Sequence, residues 1–195
     1  LFTESNGVIA EGDTDSYVFW VKEGGDLTIN GEGTVKTQAC KYSIAVWAQG
    51  GNVVINGGDY ENAGEGSDLI YASAKGNVII NGGKFTNDVE KSITRHFAYV
   101  SGKLTINDGE FYGKANSSAG GCFFCGAATG CDIQINGGKF TSLWSSGSVN
   151  RIFEVYFGGT INVTGGLFNT NGGIASFVEA NTDPATKDAY PYKAK

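Results

Sequence analysis

Asn77-Val78-Ile79-Ile80-Asn81-Gly82-Gly83-Lys84-Phe85 is the stretch that decides the fold, because the chain repeats it with small changes. It returns as Asp26-Leu27-Thr28-Ile29-Asn30-Gly31, Asn52-Val53-Val54-Ile55-Asn56-Gly57-Gly58-Asp59-Tyr60 and Lys103-Leu104-Thr105-Ile106-Asn107-Asp108-Gly109-Glu110-Phe111. Two further copies are Asp132-Ile133-Gln134-Ile135-Asn136-Gly137-Gly138-Lys139-Phe140 and Thr160-Ile161-Asn162-Val163-Thr164-Gly165-Gly166-Leu167-Phe168. Measured between Asn30, Asn56, Asn81, Asn107, Asn136 and Thr164, the steps are 26, 25, 26, 29 and 28 residues. A fixed period of this size is the mark of a repeat architecture. Each copy holds a strand of alternating faces, a glycine corner able to take φ > 0, and then an aromatic. No copy contains a run that reads as a helix, so each is expected to be one turn of a solenoid.

A second strand repeats out of phase with the first: Ser16–Val21, Ser43–Ala48, Asp68–Ser73, His96–Ser101, Gly121–Gly126, Arg151–Tyr156 and Gly173–Val178. The aromatic after each glycine pair starts a third, shorter strand. The expected coil is therefore repeat strand, corner, short strand, variable loop, long strand. About seven such coils would stack at roughly 4.8 Å per rung into a column about 30–35 Å tall. Residues 1–15 are expected to form an entry segment or cap, 16–180 the solenoid, and 181–195, which hold both prolines, a cap or crossing tail anchored by Tyr190 and Tyr192.

Stacked Val-x-Ile-Asn-Gly-Gly-x-Phe units resemble the right-handed parallel β-helix of the pectate-lyase-like superfamily. The repeat style is similar to surface and fibre proteins of gut bacteria and their phages. The resemblance covers residues 16–180 and implies an all-β, right-handed parallel β-helix with three strands per coil. It implies no particular activity, since one fold serves many functions.

Within the repeat strand, Leu27/Ile29, Val53/Ile55, Val78/Ile80, Leu104/Ile106, Ile133/Ile135 and Ile161/Val163 are expected in the core. Asn30, Asn56, Asn81, Asn107 and Asn136 are expected to form a corner ladder with amides bonded from coil to coil. Asp59, Lys84, Glu110 and Lys139 alternate in sign and should pair along the surface, setting register more than stability. In the long strand, strict alternation puts Val18/Trp20, Ala45/Trp47, Ile70/Ala72, Ala98/Val100, Phe123/Cys125 and Phe153/Val155 inside. It turns Tyr17, Phe19, Ile44, Val46, Leu69, Tyr71, Phe97, Tyr99, Phe124 and Ile152 outward. An outer face that apolar needs a cover. The chain's own loops or tail are one candidate, and two more copies around a threefold axis are the other. The tail is too short, so a homotrimer is the expectation.

Chemistry is sparse. Four cysteines, Cys40, Cys122, Cys125 and Cys131, are read as buried thiols or as a local Cys125–Cys131 bridge; a zinc site lacks a fourth nearby ligand. His96 is the single histidine, and the Arg95-His96 pair shows no partner acid in the sequence. Tyr112 and Trp144 are the loop aromatics best placed to stack on a sugar. Asn116-Ser117-Ser118 and Asn162-Val163-Thr164 match the glycosylation triplet. A net charge of −6, with arginine only at Arg95 and Arg151, argues against nucleic acid. No apolar run reaches the ~18 residues of a membrane span. The chain contains no methionine, so it is expected to be processed or to be a segment of something longer.

These readings lead to a non-enzymatic structural or attachment module without cofactor or metal. It is expected to be a trimeric fibre, adhesin or capsid decoration on a virion or cell surface, with glycans as candidate ligands. The alternative is a small polysaccharide lyase or glycoside hydrolase.

Overall fold

The computed structural model describes residues 15–37, 42–61, 68–89, 96–115, 122–126, 128–144, 151–155, 158–170 and 178–195. Among them every regular element is a strand and none is a helix. The repeat strands β2 (Asp26–Ile29), β5 (Asn52–Ile55), β8 (Asn77–Ile80), β11 (Lys103–Ile106), β14 (Asp132–Ile135) and β17 (Thr160–Val163) stack in parallel as one sheet. Successive copies meet residue for residue, Val53 on Val78 and Leu104 on Ile133 among them. The long strands β1 (Asp15–Lys22), β4 (Tyr42–Gln49), β7 (Ile70–Ala72), β10 (Ala98–Val100), β13 (Cys122–Gly126) and β16 (Arg151–Val155) make a second parallel sheet. The third sheet stacks β3 (Thr34–Lys36), β6 (Asp59–Glu61), β9 (Lys84–Val89), β12 (Glu110–Ala115), β15 (Lys139–Trp144) and β18 (Leu167–Thr170). The chain is a parallel β-solenoid.

Seven coils are not found. The long-strand and repeat-strand sheets hold six strands each, and about 4 turns lie inside the stack with a neighbour on both sides. The seventh long strand was placed on residues that lie outside the described set, save Val178. That residue opens β19 (Val178–Ala180), which pairs antiparallel with β20 (Tyr192–Ala194). In turn β20 runs antiparallel to β18, so β19 and β20 extend the third sheet. The strand after the glycine corner is short in the first two coils, three residues in β3 and β6 against eight in β1 and β4, but in later coils the order reverses: β9, β12 and β15 have six residues each, against three in β7 and β10.

Alternation in the repeat strands fills the core. Val53, Ile55, Val78, Ile80, Leu104, Ile106, Ile133 and Ile135 are fully buried, while Leu27/Ile29 and Ile161/Val163, in the outermost described strands of that sheet, are half-buried. From the second copy on, the second residue after the glycine corner builds a column of aromatics inside the third sheet. Tyr60, Phe85, Phe111, Phe140 and Phe168 stack at centroid distances of 4.7, 4.9, 4.9 and 5.1 Å with planes within 13° of parallel. Near-parallel strand spacing imposes this geometry, and each such pair adds about 0.5–1.5 kcal/mol beyond area burial. Burial pushes the Tyr60 phenol up to about 12, so it stays neutral, donating to Gly57 O at 3.2 Å.

Between the end of each repeat strand and its glycine corner, each coil donates to the one before it. Asn56, Asn81, Asn107 and Asn136 each give Nδ2–H to Oδ1 of Asn30, Asn56, Asn81 and Asn107, at 2.7, 2.8, 2.7 and 2.8 Å. Thr164 continues with Oγ1 on Asn136 Oδ1 at 3.2 Å. A second polar ladder, absent from the sequence reading, starts the same strands: Asn52 donates to Asp26 (2.8 Å) and Asn77 to Asn52 (3.4 Å). On the outer surface Lys139 pairs with Glu110 at 2.9 Å, and Lys36 with Glu61 at 2.9 Å. Both pairs are exposed and each is worth at most about 1 kcal/mol.

Candidate functional site: an outward aromatic row

The long strands do not keep strict alternation, and this changes which residues face out. Ala45 N and Val46 N both donate to Leu69 O, at 3.1 and 3.2 Å; Leu69 N and Ile70 N both donate to Phe97 O, at 3.0 and 3.1 Å. Two successive amides on one carbonyl define a β-bulge, and one extra residue inverts the face of everything after it. The pairs Ala45–Val46, Leu69–Ile70 and Phe97–Ala98 are accordingly buried together.

The expected outer stripe is corrected at this point. Val46 and Leu69 are fully buried and Phe97 is 2% exposed, so all three are core. Phe19 and Ile152 are half-buried and packed against the core. Phe124 lies in register with Ala98 and Phe153; its side chain is outside the described set. Ile44 and Tyr17 precede the bulge and are half-buried. Tyr71 and Tyr99 do face outward. Trp20, assigned inside by alternation, is 46% exposed, with Val18 at 41%.

The observed row is Trp20, Trp47, Tyr71 and Tyr99, adjacent in register on four successive coils. Trp20 stacks on Trp47 at 5.0 Å and 8°, and Trp47 on Tyr71 at 5.5 Å and 19°. Tyr71 meets Tyr99 edge-on at 5.4 Å, and Tyr17 abuts Trp47 at 4.7 Å. Trp20 Nε1 donates to Gln49 Oε1 at 2.9 Å, and Lys22 Nζ lies 4.2 Å over the Trp20 ring. Trp47 Nε1 is buried without an acceptor. Stacked this way, the rings spend their faces on one another and show edges outward. A sugar needs a free ring face; a flat partner surface does not.

Two polar features flank the row. On one side Lys22, Glu23, Gln49, Gly50, Ala74 and Lys75 line a shallow open depression, in which Lys75 pairs with Glu23 at 3.1 Å. On the other side Asp68, 7% exposed, accepts from the His96 backbone N–H at 2.8 Å, and its Oδ1 lies 3.6 Å from His96 Nδ1. The His96 ring tilts against Tyr99 at 5.2 Å. Burial, and then the charge of Asp68, raise the Tyr71 phenol above its usual range. His96 therefore does have an acid on the adjacent coil, 28 residues earlier, about one period back. That spacing was the available signal.

Tyr112 is half-buried on the outer side of the third sheet, in register with Thr86 and Thr141, and Trp144 ends the same sheet opposite Ala115. Neither belongs to the sheet that carries the aromatic row, and the Trp144 side chain is outside the described set. Cys131 is a buried free thiol, so the local bridge to Cys125 is not made. Cys40, Arg95 and Asn116 fall outside the described residues. Among the described residues no three His, Cys, Asp or Glu side chains gather to hold a metal, and no helix is long and apolar enough to cross a membrane.

The fold and the row define a parallel β-solenoid with one aromatic flank. No family model, no curated protein and no solved structure matches the chain.

Proposed function

We propose that this chain is a non-enzymatic structural or attachment module whose long-strand sheet packs against further copies of itself. A trimer in a fibre, adhesin or virion decoration, outside the cell or on its surface, is the assembly we favour. The observation that carries the reading is the continuous row Trp20–Trp47–Tyr71–Tyr99, together with a C-terminal strand that pairs with a different sheet. We further propose a right-handed winding, as in pectate-lyase-like β-helices. Its support is the general rule that a strand returning parallel to its own sheet crosses over right-handed.

Light scattering is the test. Wild-type protein is expected at three times the 20.4 kDa chain mass, and a Trp20→Lys, Tyr71→Lys double variant at the single-chain mass with unchanged circular dichroism. A wild-type mass of 20.4 kDa overturns the reading.

A second reading, a small polysaccharide lyase or glycoside hydrolase, draws on His96 and Asp68. Hydrolysis needs two cooperating carboxyl groups, whereas proton abstraction from an acidic sugar needs one base within hydrogen-bond reach. Of the two, only the lyase variant suits a single buried acid beside an imidazole. Release of unsaturated sugars from acidic polysaccharide, abolished in His96→Ala, would move the assignment to this reading. No turnover is the outcome we expect.

A further inference from the structure

The corner asparagines are chemically equivalent in sequence but not in their surroundings. Asn30, Asn56, Asn81 and Asn136 are each followed by glycine, the neighbour that least hinders attack of the next backbone nitrogen on the side-chain carbonyl carbon. All four are exposed. Within the ladder, Asn56, Asn81 and Asn136 each donate through Nδ2 and accept through Oδ1, which fixes the amide at both ends. Their backbone N–H groups are also held, by Ile29 O, Ile55 O and Ile106 O at 2.9, 2.8 and 2.8 Å. Asn30 ends the ladder. Its Oδ1 accepts from Asn56, and among the described residues nothing accepts from its Nδ2.

The backbone beneath differs in the same direction. A Cβ placed on Gly57 would lie 2.8 Å from Gly31 O, and one on Gly82 would lie 3.3 Å from Asn56 O, so those corners sit on the coil below. A Cβ on Gly31 would meet nothing within 4 Å, and its φ of +107° belongs to an open turn.

We infer that Asn30-Gly31 is a built-in deamidation site, and that the amide ladder protects the equivalent Asn-Gly pairs above it. The Gly31 nitrogen attacks Asn30 Cγ, a C–N bond forms, and the side-chain nitrogen leaves as ammonia carrying the Gly31 proton. Solvent water then opens the cyclic imide at either carbonyl, giving aspartate or isoaspartate. An aspartate here is tolerated because Asn56 Nδ2 donates to it as a charge-assisted bond. The same change at Asn56, Asn81 or Asn136 would set a carboxylate against the Oδ1 that its lost amide served.

The test is peptide mapping by mass spectrometry of full-length protein held in mildly alkaline buffer, with the urea-unfolded chain as baseline. Folded protein is expected to convert Asn30 at close to the unfolded rate and Asn56, Asn81 and Asn136 several times more slowly. In an Asn56→Ala variant shown to be folded by circular dichroism, Asn81 becomes a ladder end and its conversion should rise. Equal rates at all four sites in the folded wild type, or an Asn81 as protected as Asn136 in the folded variant, would overturn the inference.

Discussion

Phe111→Ala should unfold at much lower denaturant than wild type, with a loss of about 3–5 kcal/mol, the range for deleting a fully buried aromatic. Phe111 is 1% exposed and has ring neighbours on three sides: Phe85 and Phe140 stacked at 4.9 Å each, and Phe97 edge-on at 5.8 Å. The hole cannot close cheaply, because both stacked rings hang from strands locked in register on either side. Against a total stability of about 5–15 kcal/mol, this is a large share. Phe168→Ala, at the last rung of the column, removes one stacking partner instead of two and should cost visibly less. Equal losses at the two sites in equilibrium urea unfolding would show that the column does not act as a stack.

Gly102→Ala is expected to be among the most damaging single methyls. The residue turns the chain from β10 into β11, where its coil rests on the one before. A Cβ there would fall well inside contact distance of Gly76 O and 3.0 Å from Gly76 N, both rigid backbone. Gly76 stands in the same relation to Ala48 O, and Gly51 to Lys22 O, so the corner is a column of close approaches down the stack. Overpacking typically costs about 1–3 kcal/mol, and backbone that cannot move aside puts this site at the top of that range or beyond. Gly33→Ala is the control, because a Cβ at Gly33 meets nothing within 4 Å. Thermal melts that place the two variants together would contradict such close stacking.

The parts of the fold that were legible in the sequence are those set within one repeat. Alternation over Val53–Ile55 or Leu104–Ile106, a glycine corner and one aromatic need no knowledge of neighbouring coils. The long strand was misread for a specific reason. Each long strand is read as one unbroken alternation, which the shared carbonyls interrupt, so Val46, Leu69 and Phe97 are expected outward and Trp47, with its register partner Trp20, inward. A bulge leaves no mark in a strand where nearly every residue is apolar. The Asp68–His96 contact is harder to read, because variable loops precede both residues and blur the phase at which one coil's strand start meets the next; the 28-residue separation is the one sequence sign of it. The expected seventh long strand falls on residues outside the described set, apart from Val178, which belongs to the antiparallel end.

The doubled amides at Leu69 O and Phe97 O have a consequence for assembly of the chain itself. Six nearly interchangeable repeat strands offer little to tell a growing stack which residue should sit on which, and a slip of two residues would keep every face correct. The extra residue acts as a tooth. A coil shifted along its neighbour would set its two-for-one step against regular strand and lose a shared carbonyl. The irregular sheet thereby supplies alignment that the repetitive one cannot.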